Sequence, residues 1–356
     1  MKAKGPIRLG VAGLGRAGWN NFTREMESQQ KHFRVVAACD IVPARRRKAA
    51  ERFGCATYER VEDLVADPNV ELVFVATRNI DHFRHAAMAL KAGKHVHLEK
   101  PMTVDYAQAR RLAALARRSK GLLLMRHNAR YWSIFQRIRQ IISSGVLGDV
   151  FEIKMRRTRY IRRDDWQTTL AAGGGLMRNT GSHMIDQGLQ LLDAPVKDIW
   201  CQLRRVAAVG DAEDHVRLMI VGTNGRIIDI EHSGGAEQTD PEWTVLGTRG
   251  HLVTHGTQVG KNLSITLRYL DPRRPLKPRS LLQGPPGRQY GTEEDLPWIQ
   301  KTIDPDQGRK GRRHGIWDDI HAAIRLGRTY PIAVEQAVEA MRVLTVARRQ
   351  TEFRDK

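Results

Sequence analysis

The sequence predicts an α/β protein with an N-terminal Rossmann doubly wound parallel sheet. A C-terminal α+β unit follows, built on a large, mostly antiparallel open sheet. Three observations carry this expectation. Short apolar runs alternate with helical stretches through the first 125 residues. A glycine-rich turn closes the first of those runs. After Gly148, strand-like runs succeed one another with short turns. The expected division is 1–125 and 126–356.

Ile7–Ala12 is a buried-strand run, helical spacing continues to about Gln30, and Phe33–Cys39 is a second strand ending at Asp40. Pro43–Phe53 fits a helix, with proline in its first turn and Gly54 as its stop. Leu72–Ala76, Val96–Leu98 and Leu122–Met125 are three more apolar runs, separated by helices at Asp81–Ala92 and Val104–Ser119. Farther on, Val150–Tyr160 alternates as a strand and Asn179–Leu192 has helical spacing. Strand-like runs occupy 196–208, 214–221, 226–232, 242–247, 251–255 and 263–269, several joined by Gly or Asn-Gly turns, which is the pattern of antiparallel pairing. Closing helices are expected at Ile316–Leu326 and Val334–Arg349, packing back on the first domain. The stretch 271–306 holds seven of the fourteen prolines, so 271–313 is expected to be an irregular Pro/Gly/Arg-rich insert.

Composition narrows the function classes. Of the 356 residues 41% are apolar and 28% charged, a globular composition. No apolar run approaches the ~20 residues of a membrane helix. Ile7–Leu14, broken by Arg8, Gly10 and Gly13, reads as a strand and not as a signal peptide. No membrane partner and a cytoplasmic location are expected. Cys39, Cys55 and Cys201 are too few and scattered for a disulfide frame or a zinc site, so no metal is expected. The net charge of +20 is uneven: residues 1–150 carry 27 basic and 13 acidic side chains, the remainder 32 and 26. The basic residues are interspersed along helices and no nucleic-acid module is recognised. The charge therefore reads as a solubilising surface, and nucleic acid is not the expected partner.

Gly13-Leu14-Gly15-Arg16-Ala17-Gly18 matches G-x-G-x-x-G in the context that gives the pattern meaning. It follows a strand, opens a helix and precedes an acidic strand end, Asp40, 22 residues after Gly18. There Gly13 permits the tight turn, Gly15 lets backbone approach a pyrophosphate, and Gly18 packs helix against strand. Arg16 and Ala17 begin the helix whose N-terminus faces the negative charge. Asp40 would accept hydrogen bonds from the adenosine ribose and repel a 2′-phosphate, so NAD is the expected cofactor. Arg45, Arg46 and Arg47 follow closely and leave NADP open. A plain strand–helix turn is the alternative.

In a doubly wound sheet, ligands lie beyond the carboxyl ends of the strands. Val96–Leu98 runs into Glu99-Lys100-Pro101, so Lys100 is placed to meet cofactor or substrate, with Pro101 imposing an extended, turn or cis geometry. Thr77, Asn79 and His82 sit just past another strand end and are expected to approach the cofactor, although Asn79 could simply cap a helix.

A set of segments in order resembles one family. They are Thr77-Arg78-Asn79-Ile80-Asp81-His82, Ala92-Gly93-Lys94-His95-Val96, Glu99-Lys100-Pro101, Asn128-Ala129-Arg130-Tyr131 and Ser144-Gly145-Val146-Leu147-Gly148-Asp149. They continue with Gly173-Gly174-Gly175, Gly181-Ser182-His183-Met184-Ile185-Asp186, Glu213-Asp214, Gly247-Thr248-Arg249-Gly250 and Trp317-Asp318-Asp319. Together they resemble the Gfo/Idh/MocA oxidoreductases, the glucose–fructose oxidoreductase and inositol dehydrogenase family, over nearly the whole chain apart from about 271–313. The resemblance implies an NAD(P)-binding Rossmann domain and a C-terminal domain for substrate binding. It also implies an open sheet that joins homodimers or homotetramers, and a sugar or polyol substrate. Residue by residue, it implies Lys100 as the catalytic lysine, Glu99 beside the cofactor, and His183 and Asp186 at the substrate. Two positions depart: Asn179 stands where dehydrogenases of the group often have Asp, and Arg78 where the family usually has Pro. An amide can hold a hydroxyl but cannot take a proton.

Hydride transfer from a secondary alcohol requires a proton to leave the hydroxyl. Lys100 can take it if burial and a nearby cationic nicotinamide lower its pKa; His183 is the other candidate base, or an orienting partner. Asn179 and His183 share a helix face, as do His183 and Asp186. Asp186 as a buried cap or helix-dipole partner and His183 as a satisfied core histidine are the plainer alternatives. Arg130, Tyr131 and Trp166 complete the expected substrate site. Arg156, Arg157, Arg159, Arg162 and Arg163 could bind an anionic sugar or form a solvated strand end. The leading expectation is an NAD-dependent dehydrogenase acting on CH–OH groups. The rivals are an NAD-retaining glycosidase or dehydratase using transient oxidation, and a non-catalytic NAD-binding regulator.

Overall fold

The protein is described by a computed structural model covering residues 5–237, 240–257, 263–274, 276, 295–307 and 314–354. Strand β1 (Ile7–Ala12) is buried at every position but Arg8, as a strand covered by helices on both faces must be. It pairs in parallel with β2 (Phe33–Cys39) on one side and β4 (Leu72–Val75) on the other. The short β3 (Ala56–Tyr58) extends the sheet beyond β2; β5 (His95–Glu99) and β6 (Leu123–Arg126) extend it beyond β4. The order β3-β2-β1-β4-β5-β6 reverses direction between β1 and β4, where a doubly wound sheet opens a crevice. Ala12 lies opposite both Cys39 and Val75, Val75 opposite Leu98, and Glu99 opposite Arg126. This register brings Gly13, Asp40, Thr77, Lys100 and His127 out along a single edge.

The helices on this sheet are α1 (Phe22–Met26), α2 (Pro43–Phe53), α3 (Val61–Ala66), α4 (His82–Lys91) and α5 (Tyr106–Arg118). Helix α2 starts on Pro43 and stops at Gly54, whose φ of 59° is left-handed. The first helix is shorter than its spacing suggests: it opens as a π-turn over Arg16–Asn21 and ends at Met26. Strand β3 and helix α3 escape the sequence reading because three and six residues are too few to show a period.

After helix α6 (Ser133–Ser143) the second sheet begins with β7 (Val150–Thr158). A π-turn over Met177–Gly181 leads into α7 (Ser182–Leu192). Strands β8 (Val196–Arg204), β9 (His215–Gly222), β10 (Ile227–Ser233), β11 (Trp243–Gly247), β12 (Gly250–His255), β13 (Ser264–Leu270) and β14 (Trp298–Ile303) follow. Their order is β14-β13-β12-β11-β7-β10-β9-β8, and among the described residues only β7–β10 pair in parallel. Helix α7 lies against β10 at Gly188, where an added Cβ would come within 2.8 Å of Ile228.

Strand β14 corrects the expectation of an irregular 271–313. Six of the seven prolines precede Trp298, and Ile299, Thr302 and Ile303 supply β-branched residues for an edge strand that pairs with β13. Residues 275, 277–294 and 308–313 of that stretch lie outside the described ones.

The closing helices α8 (Ile316–His321) and α9 (Val334–Arg349) return to the first sheet. Trp317 sits edge-on to Phe22, Phe33 and Phe74, with ring centroids 5.8, 5.2 and 5.8 Å away. Thr345 Oγ1 accepts from Tyr106 N, and Arg348 makes a fully buried 2.9 Å ion pair with Glu213. The two sheets thus share one continuous apolar core.

Candidate active site

The glycine turn divides into what the chain's own packing needs and what it does not. Gly13 has φ 92°, and a Cβ there would lie 2.6 Å from Ala76 O; a Cβ on Gly18 would lie 1.8 Å from Gly13 O. A Cβ on Gly15, by contrast, would meet nothing within 4 Å. Open space over Gly15 at a helix start fits a phosphate approaching the backbone. Arg16 is exposed beside it, and Ala17 packs partly on the core. Asp40 is buried and clamps the turn: its carboxylate accepts from Leu14 N at 2.8 Å and Val42 N at 2.9 Å, with Arg45 Nη1 at 3.3 Å. Arg46 donates to Asp40 O at 2.7 Å. These residues fit a dinucleotide, and Asp40 holds the turn.

Lys100 leaves β5 through a cis bond to Pro101. Its Nζ donates to Asn179 O at 2.9 Å and reaches Asn179 Oδ1 at 3.4 Å, which joins the edge of the first sheet to the start of α7. Burial first, and then the cations Arg16, Arg126 and Arg163, lower its pKa to about 8 against the attraction of Glu99. Glu99 lies 2.8 Å from the Arg126 guanidinium and accepts from Lys100 N, so it is a neighbour of the site held in an ion pair. Asn179 Nδ2 donates to Gln167 Oε1 at 2.9 Å. His183 is buried and held neutral by burial and by the cationic Lys100; its Nδ1 has no hydrogen-bond partner among the described residues, and its ring lies 5.9 Å from that of Trp132.

Several expected contact residues are placed elsewhere. His82 is 1% exposed beneath the Lys100–Pro101 turn, with Nδ1 2.7 Å from Pro101 O and Nε2 3.3 Å from Thr77 O. It braces that turn and offers no surface to a ligand. Asn79 caps no helix; its Nδ2 donates to Gly173 O at 2.9 Å, linking the two halves. The Thr77 hydroxyl is 3.0 Å from His85 Nδ1. Asp186 and Arg130 are both buried. They form a buried fork-to-fork pair, at 2.8 and 2.6 Å, that occupies both carboxylate oxygens. Tyr131 turns its hydroxyl to Asp319 of α8 at 2.6 Å. Trp166 is half-buried in the short 3₁₀ turn Trp166–Thr168.

The arginine cluster is largely neutralised. Arg156 pairs with Asp229 and Glu231, Arg157 with Glu242, and Arg163 with Asp165, while Arg159 and Arg162 are exposed. Among the described residues no group of three or more His, Cys, Asp and Glu is arranged to hold a metal, and no helix is long and apolar enough to cross a membrane.

Four residues near the site went unremarked in the sequence. His127 follows the end of β6 and is fully buried, 3.6 Å from Asp186; the strand-end rule that singled out Lys100 applies to it equally. Trp132 lies between His183 and the Arg157 guanidinium. His232 donates from Nδ1 to Arg157 O, and Gln167 holds Asn179. No pattern in the sequence marks these last two.

Residues 7–127 match the family model described as an oxidoreductase family with an NAD-binding Rossmann fold, and residues 135–253 match the GFO/IDH/MocA C-terminal domain. The chain belongs to the Gfo/Idh/MocA oxidoreductase family. Its residues 7–127 are an NAD-binding Rossmann domain. An uncharacterized oxidoreductase of Schizosaccharomyces pombe is 29% identical over 70% of this chain and 71% of its own length. The scyllo-inositol 2-dehydrogenase (NADP(+)) of Bacillus subtilis is 24% identical over 96% of this chain and 92% of its own. The solved structure of the WlbA dehydrogenase of Bordetella pertussis, in complex with NADH and UDP-GlcNAcA, superposes with a TM-score of 0.77 at 18% identity, over 97% of this chain and 96% of that one. At that identity the likeness is one of fold.

Proposed function

We propose that this Gfo/Idh/MocA protein is an NAD(P)-dependent dehydrogenase. It would move a hydride between nicotinamide and the secondary hydroxyl or keto carbon of a sugar, polyol or sugar derivative. The observation that supports this best is Lys100: an amine beside the open glycine turn, with a pKa of about 8 and a contact to Asn179 from the other half of the chain. Bound NAD(P) supplies the hydride acceptor. In this reading Lys100 Nζ, once deprotonated, takes the hydroxyl proton. His183, kept neutral by burial, orients a second hydroxyl without competing for that proton. The Arg130–Asp186 pair positions the start of α7 against the 128–131 turn, which keeps His183 and Asn179 in place over Lys100.

In the same proposal, 1–125 holds the dinucleotide, 126–356 holds the substrate, and the open sheet joins copies into a homodimer or homotetramer. The carboxylate of Asp40 supports NAD as the preferred cofactor. Arg45 beside it, and the NADP(+) in the name of the Bacillus relative, support NADP as the alternative. The test is a panel of sugars, polyols and sugar acids with NAD and with NADP, read by reduced-nicotinamide absorbance. Substrate-dependent reduction that disappears in Lys100→Met supports the reading; its absence across the panel overturns it.

A further inference from the structure

We propose that Gln167 is a positioning residue which, held by Arg163, locks the Asn179 side-chain amide with its oxygen toward Lys100. The inference rests on the reading of Lys100 as the proton acceptor. An amide has one acceptor end and one donor end. Of the two amide ends, only Asn179 Oδ1 can make a favourable contact with the donor Lys100 Nζ, which it meets at 3.4 Å beside the 2.9 Å bond to Asn179 O. At Gln167 Oε1, an acceptor, only Asn179 Nδ2 does so, at 2.9 Å. Both contacts select the same orientation, and a flipped amide would set donor on donor and acceptor on acceptor.

Gln167 cannot relax by flipping either. Its Oε1 also accepts from Arg163 Nη2, so a turned amide would point its NH₂ group at two donors. Arg163 is in turn fixed by Asp165 Oδ2, through Nε at 3.0 Å and Nη2 at 2.6 Å. The backbone of this turn does not depend on the Gln167 side chain. Gln167 N donates to Asp165 Oδ1, Gln167 O accepts from Gly175 N, and Thr168 N donates to Asp165 O. Side-chain substitutions at 167 therefore leave the turn intact.

The consequence is electrostatic. An oxygen facing Nζ favours the ammonium form over the amine. Other charged and titratable groups also face Lys100. They are Glu99 on its own strand, His82 beneath it, Arg16 after the glycine turn, Arg126 and His127 at the end of β6, Arg163 itself, His183 on α7 and His232 on β10. Of these a change at Gln167 touches only Arg163 directly, and Asp165 still fixes that guanidinium through Nε and Nη2, so a shift in Lys100 reports on the Asn179 amide and on charge placed at 167.

The experiment follows Lys100 directly in the full-length protein. Acetylation of Lys100 by acetic anhydride is measured against pH by mass spectrometry, alongside the pH–rate profile. In Gln167→Met the Asn179 amide is freed, and Lys100 should titrate about half a unit to one unit lower. In Gln167→Glu both acceptor contacts remain and a negative charge is added, so Lys100 should titrate higher. Opposite shifts in the two variants support the lock. Unmoved titration, or shifts in the same direction as from a general loosening, overturn it. Opposite acetylation shifts with an unmoved pH–rate profile support the lock and overturn the assignment of Lys100 as the proton acceptor.

Discussion

Lys100 Nζ lies 2.9 Å from the backbone oxygen of Asn179, 79 residues away in sequence. The contact carries an amine from the edge of a parallel sheet to the π-turn that leads into a helix packed on a different sheet. Burial there moves the amine's pKa toward neutrality. The following outcomes are expected of that arrangement.

Lys100→Met should leave NAD binding near wild type and lower turnover by ~10²–10⁴. In the wild type the rate of alcohol oxidation should rise with pH through about 8, because the amine must lose its proton before it can take another. A wild-type profile that is flat across that pH would assign the proton to a different group.

Asn179→Asp should move that rise to higher pH by about one unit, since an added carboxylate near Nζ favours the ammonium. The same substitution sets a carboxylate oxygen against Gln167 Oε1, which already serves Arg163. Superimposable pH–rate profiles would remove Asn179 from the site.

Asp40 acts both as a charge and as an acceptor. Asp40→Asn retains an acceptor oxygen and should narrow the preference for NAD over NADP with a small loss of stability. Asp40→Ala strands the buried Leu14 N–H and should destabilise the protein by ~1–3 kcal/mol as well. Paired cofactor titrations and denaturant unfolding separate the two effects; equal unfolding of both variants would contradict the clamp.

Arg130→Ala or Asp186→Ala should each destabilise by ~3–5 kcal/mol, because each leaves a buried charge without its partner. The double variant should lose at least ~1 kcal/mol less than the sum. Strict additivity in denaturant unfolding would show that the pair contributes no coupling.

Acid should destabilise the fold through its buried histidines. Burial lowers the His232 pKa from 6.5 to about 3 and holds His97 and His183 well below 6.5. Between the lowered folded values and 6.5 the unfolded chain binds more protons. Their contribution is therefore fully present above pH 6.5 and is lost as pH falls toward the folded values. Thermal midpoints should fall below pH 6.5, and less steeply in His232→Gln. Parallel curves for variant and wild type would exclude His232 from this effect.

The sheet strands other than β3 and β14 were legible because each is a run of four to nine residues whose burial pattern, continuous or alternating, shows directly in hydropathy. The glycine turn and Lys100 were legible for a related reason: a doubly wound sheet places ligands at its strand ends, and strand ends can be read from the sequence. Helix α6 was also within reach, since Ile134, Phe135, Ile138 and Ile141 follow helical spacing. Strand β14 was obscured by the prolines that precede it.

By itself the sequence determined the two-part architecture, the dinucleotide turn and the lysine at its edge, because these depend on local periodicity and on residues close together in the chain. The tertiary structure alone decided what the polar side chains touch. Asp186 and Arg130 are 56 residues apart and satisfy each other, Tyr131 is taken up by Asp319 across 188 residues, and Gln167 reaches Asn179 through a turn that carries no signature. Spacing along a helix fixes which face a side chain leaves from. The partner it finds depends on what long-range packing brings opposite that face, where a buried polar group must be satisfied by whatever donor or acceptor arrives.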